Sequence, residues 1–169
     1  MKKLLLAFAL AGATLAPSYT PAFAADGTEA PAVIPGPPPG QSQVIFWRPG
    51  TMIGGAMGCG VNMGMERISS LGSGKYFVVN LAPGTHEFNA RSEARDALTL
   101  ETESDETYYV RCTIRMGFMM GRPNLAPSDA AAFNEKRADL EYVNSDDHSA
   151  AVMPDPGAAG PPAAAAPTG

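Results

Sequence analysis

The stretch "KYFVVNLAPGTHEFNAR", residues 75–91, decides the fold. Phe77, Val79 and Leu81 recur at period two, so 75–81 predicts a strand with one apolar face. Pro83-Gly84 fits the central pair of a type II turn: proline presets the first φ and glycine accepts the positive second one. The chain then continues as "THEFNAR" (85–91), with His86, Phe88 and Ala90 on one face.

The same period extends outward in both directions. "SQVIFWRP" (42–49) is an apolar run closed by Pro49, short enough for a buried strand. "DALTLETE" (96–103) alternates Leu98 and Leu100 with polar residues. After the acidic turn "SDE", "TYYVRCTIR" (107–115) puts Tyr108, Val110, Cys112 and Ile114 on one face. Short strands at this spacing, separated by turn signals, predict a mainly β domain, an antiparallel β-sandwich. One helix is expected, over "DAAAFNEKRADLEYV" (129–143). Ser128 is its expected cap, and Phe133 and Leu140 the residues it packs on the edge or face of the sandwich.

The ends of the chain have other compositions. Residues 1–24 read as a cleavable signal peptide: Lys2 and Lys3, the apolar run Leu4 to Ala16, then Ala22-Phe23-Ala24 before the expected cut. The apolar run is short for a membrane span, and Ala13 stands where a lipid-bearing cysteine would sit, so neither a span nor a lipid anchor is expected. Residues 25–41 form a Pro/Gly-rich linker, 42–143 the domain, and 144–169 an Ala/Pro-rich tail expected to be disordered. Removing the signal takes away two lysines and no acids, moving the formal charge from −5 to about −7. An acidic chain without a basic cluster excludes nucleic acid as the expected partner. The expected location is the periplasm.

With these strands in place, four pieces carry a resemblance: "VIFWRP", "GSGKYFVVNLAPGTHEFNAR", "LTLETESDETYYVRC" and "MGFMMGRPNL", in this order and spacing. Residues 42 to about 140 resemble a family of small bacterial envelope proteins catalogued as domain of unknown function twenty-eight forty-six. The resemblance implies an exported, immunoglobulin-like or transthyretin-like sandwich. The chain departs from many relatives at Ala13, and again in "GGAMGCGVNMG" (54–64), richer in glycine and methionine than the usual second strand. The family carries no settled activity.

Candidate sites follow from residue chemistry. Cys59 and Cys112 are the only cysteines, and both fall on apolar faces. In an oxidising compartment they form either an intramolecular disulfide or two buried free thiols. Methionine clusters in two segments, Met57, Met63 and Met65 in one and Met116, Met119 and Met120 in the other. Thioethers fill irregular cores and make malleable contact surfaces. They are also soft ligands, so Met57, Met63, Met116, Met119, Cys59 and Cys112 constitute an alternative Cu(I) set. Arg122, Phe118, Met119 and Met120 are the partner-contact candidates, with Arg122 able to present a planar fork to a carboxylate or phosphate. No nucleophile elbow, zinc motif or paired-carboxylate pattern is present, so neither catalysis nor a cofactor is expected. The expected role is an exported, non-catalytic binding or scaffolding module of the cell envelope, its partner an unidentified protein or glycan. The alternative is periplasmic Cu(I) binding.

Overall fold

The computed structural model describes residues 31–52, 55–91, 95–115, 121–144 and 148–157. Two sheets face each other. One orders its strands β8-β7-β1-β4-β9, with β1 Ser42–Arg48, β4 Lys75–Leu81, β7 Thr107–Arg115, β8 Arg122–Ser128 and the short β9 Glu141–Tyr142. The other runs β3-β2-β5-β6, with β2 Cys59–Met63, β3 Glu66–Leu71, β5 Gly84–Arg91 and β6 Arg95–Thr102. The fold is the expected β-sandwich with one C-terminal helix.

Alternation places the core. Val44, Phe46, Phe77, Val79, Phe88, Ala90 and Val110 are fully buried between the sheets. Phe46 stacks on Phe77 at 5.0 Å between centroids and meets Phe88 of the opposite sheet edge-on at 4.9 Å. β1 is buried along its whole length, as its continuous apolar run requires, because its outer face is covered as well.

Three expectations change. The Pro83-Gly84 step does not fold β5 back beside β4; β4 pairs with β1, and β5 with β2 and β6. Gly84 has the expected positive φ, but at +141° it makes a corner between sheets instead of the roughly +80° of a type II turn. The pairing is also not wholly antiparallel. β1 runs parallel to β7, and β4 parallel to β9.

The helix is shorter than expected. Ser128 ends β8, so the cap falls to Asp129, whose Oδ1 accepts the Ala132 N–H at 2.8 Å. Helix α1 spans Ala130–Lys136, followed by a 3-10 turn at Arg137–Asp139. It stops because β4 takes up the next backbone groups. Glu141 N–H donates to Gly74 O at 3.0 Å and Val143 N–H to Tyr76 O at 3.0 Å. Phe133 is buried as expected, packing on Trp47, Tyr76 and Tyr109 of the outer sheet face. Leu140 is buried too, but from an extended residue.

The folded unit passes both boundaries expected at 42 and 143. Upstream, Gln43 Nε2 donates to Pro35 O at 3.0 Å and Arg137 Nη2 to Ala32 O at 2.8 Å. Downstream, residues 148–153 return as a strap along the sheet edges. Ser149 N–H donates to Ile68 O at 2.9 Å, Met153 N–H donates to Val78 O at 2.8 Å, and Val152 bridges to Val79. His148 therefore belongs to the fold. Its Nε2 reaches Val143 O at 3.0 Å and its Nδ1 reaches Ser69 Oγ at 3.3 Å.

Tyr142 pins this strap. Its hydroxyl donates to Met153 O at 2.5 Å and accepts the Val78 N–H at 3.2 Å. Burial pushes the phenol up to about 12, against about 10 for a free tyrosine. The folded state thus favours the neutral form, so this stabilisation is intact below about pH 10 and lost as pH rises through about 12. Urea midpoints measured from pH 9 upward should fall over that window, and the fall should be shallower in Tyr142→Phe. Parallel curves for the two proteins would refute the assignment.

Candidate functional site

Where β1 ends, the sandwich opens. Val44, Phe46 and Arg48 share the inward face of β1, so the period that buries two apolar residues also buries a guanidinium. Arg48 is 1 % exposed. Its Nη1 donates to Met57 O and, at 3.3 Å, to Leu71 O, tying β1 to the opposite sheet. Desolvation holds its pKa below the ordinary arginine value. A buried arginine costs free energy that only charge-assisted hydrogen bonds offset, so the position is informative. The sequence carried a signal for it: Arg48 falls on the face of Val44 and Phe46, two residues after Phe46.

Beside it, Cys112 of β7 and Cys59 of β2 form a disulfide with 6.7 Å between Cα atoms, joining the two sheets. Of the two states open to these cysteines, the structure contains the bridged one, and both residues are fully buried. The bridge also ties up the two thiolates that the Cu(I) set requires. Met57, half-buried, lies at the same end, whereas Met63 sits at the far end of β2, opposite Phe88.

Arg48, Pro49, Met52, Cys112, Thr113 and Ile114 line a cavity of about 540 Å³ at this open end. Met52 stands fully exposed on its rim. A smaller cavity of about 260 Å³ lies on the outer sheet face under residues 32–36, beside Phe133 and Arg137. There Arg137 is committed to structure: its Nη2 also donates to the Tyr76 hydroxyl at 2.7 Å, and its guanidinium lies 4.3 Å from the Tyr76 ring centroid.

The β7–β8 hairpin borders the larger cavity. Arg122 opens β8, is exposed, and pairs directly with the exposed Arg115 of β7. Gly121 precedes it in a tight place. A Cβ there would lie 2.5 Å from Ile114 Cγ2 and 2.7 Å from Met57 Sδ, so the close approach of the chain requires glycine. Phe118, Met119 and Met120, and Met116 of the Cu(I) set, lie outside the described residues. Of the expected contact residues, Arg122 alone is therefore placed. Asp96 of β6 holds the other side of this end, accepting the Leu125 N–H at 2.6 Å and so joining the edges of the two sheets.

Among the described residues, no three His, Cys, Asp or Glu side chains are grouped as metal ligands. No helix among them is long and apolar enough to cross a membrane. Residues 38–123 match the model of a family described as protein of unknown function (DUF2846). No curated protein and no solved structure matches the chain.

Proposed function

The chain belongs to the DUF2846 family of proteins of unknown function, and from that premise we propose a non-catalytic binding or scaffolding module of the bacterial cell envelope. The observation that carries this reading is the open end of the sandwich. There a cavity, the exposed Met52 and the cross-strand pair Arg115 and Arg122 come together, and in sequence Arg115 and Arg122 flank the methionines Met116, Met119 and Met120. Such a surface offers polarizable apolar contact beside two cationic forks, a composition suited to a protein or glycan partner. Export to the periplasm is part of the proposal, supported by the signal-like residues 1–24 and by a disulfide, which persists in an oxidising compartment.

The test is the double substitution Met119→Ser and Met120→Ser. Partner capture from solubilised envelope by crosslinking should fall at least tenfold, with the thermal midpoint unchanged. Undiminished capture by the folded variant would remove this surface from the role.

A further inference from the structure

On the outer sheet face the chain holds one of its own proline-rich segments. Residues 31–40, "PAVIPGPPPG", join no helix or strand and contain no buried residue, and Val33 is 87 % exposed. Two side chains hold the segment by its backbone: Arg137 Nη2 donates to Ala32 O at 2.8 Å and Gln43 Nε2 to Pro35 O at 3.0 Å. The two carbonyls are three residues apart, the repeat of a polyproline helix, whose carbonyls are otherwise left to solvent. Beneath them lie Ile45, Tyr109 and Phe133. An aromatic floor with polar side chains placed beside it is how grooves recognise proline-rich peptides.

Both donors are positioned without the segment. The Arg137 guanidinium is fixed by the Tyr76 hydroxyl at 2.7 Å and by the Tyr76 ring, and Gln43 Nε2 also reaches Asn80 Oδ1 at 3.3 Å. The resident segment nevertheless fits incompletely, because a cavity of about 260 Å³ remains between residues 32–36 and the floor. With so little surface buried, the segment belongs to the part of the molecule that opens at low free-energy cost.

We infer that this face is a docking groove for an extended proline-rich segment of a partner protein, one with a larger apolar side chain where this chain has Ile34, and that residues 31–36 occupy it as a tethered stand-in. A short tether gives the stand-in an effective concentration on the order of millimolar, so a partner must fit better to displace it. Filling the cavity supplies that difference. The groove lies on the outer sheet face, away from the open end, and the inference goes beyond the contact role proposed there.

The experiment titrates the full chain, disulfide intact, into a fluorescein-labelled peptide of residues 31–40 carrying Ile34→Phe, followed by anisotropy. One equivalent should bind saturably, about fivefold tighter than the unsubstituted peptide because more apolar surface is covered. A peptide carrying Ile34→Asp should not bind. In the chain itself, Ile34→Asp should release the stand-in and tighten the Ile34→Phe peptide about tenfold by removing the tethered competitor. The domain should stay folded, since the segment contains no buried residue. Amide shifts on binding should move at Tyr109, Asn134 and Arg137. Equal affinity of the two chains or of the phenylalanine and isoleucine peptides, shifts confined to the open end, or unfolding of the Ile34→Asp chain would each overturn the inference. Self-association of the parent that the peptide dissolves would give the groove to a second copy and overturn the assignment to a partner protein. The Met119 and Met120 capture experiment reads a different surface, so either result can fail without the other.

Discussion

Replacing both Cys59 and Cys112 with alanine is expected to destabilise the domain by about 4 kcal/mol and lower its thermal midpoint by roughly 15 °C. The bridge spans 53 residues, and closing a loop of that length removes chain entropy from the unfolded state equivalent to about 4 kcal/mol. That is a large share of the roughly 5–15 kcal/mol by which domains are stable. The double alanine variant is preferred because one remaining cysteine would leave a reactive thiol. Urea unfolding, followed by circular dichroism with and without reductant, measures the effect. The parent under reductant should approach the variant, which reductant should leave unchanged. A loss below about 1 kcal/mol would mean that the bridge constrains little. Native mass spectrometry of protein from the envelope, without reductant, should show a mass two hydrogens below the dithiol and a start after Ala24.

Phe133→Ala should cost about 3–5 kcal/mol. The ring is 2 % exposed and lies 6.0 Å from Trp47, 5.8 Å from Tyr76 and 5.5 Å from Tyr109 between centroids. It is the buried residue of α1, a seven-residue helix too short to persist without packing. Losing it should release the helix from the outer sheet face. Water would then reach Trp47 Nε1, a buried donor with no hydrogen-bond partner among the described residues. That relief offsets part of the loss and places the expected value near the lower end, about 3 kcal/mol. Trp47 is the only tryptophan, so its emission should shift to the red. Phe133→Leu, which keeps most of the volume, should cost about 1.5 kcal/mol or less. A red shift without loss of stability, or equal costs for alanine and leucine, would contradict the packing role.

β1, β4, β5, β6 and β7 and their buried faces were legible because alternation is a local property, whereas β3, β8 and β9 were not read as strands. Phe46, Phe77, Phe88 and Val110 turn inward where period two puts them, and β7 spans the residues expected of it. Helix boundaries were less legible. Leu140 fits helical spacing from Phe133, yet the free edge of β4 draws Glu141 and Val143 into extended pairing. The tail was misleading for a related reason: its composition is poor in large apolar residues, but Val152 and Met153 are held mainly through backbone groups, which composition does not report. For the candidate site, sequence pointed to Arg122 and to the cysteines but passed over Arg48, because a charged residue at a strand end resembles a solvated terminus until its neighbours are known.

By itself, then, the sequence determined what each segment presents: strand faces, a helix bearing Phe133, and a family match that independently covers residues 38–123. Only the tertiary structure decided who meets whom. The corner at Gly84 sends β5 to the other sheet, β7 returns parallel to β1, and this brings Cys112 beside Cys59 and Arg48. The reason is physical. Side-chain alternation depends on adjacent residues, whereas partner choice among distant strands depends on summed burial and hydrogen bonding across the domain, and loop closure discriminates only weakly between near and far partners.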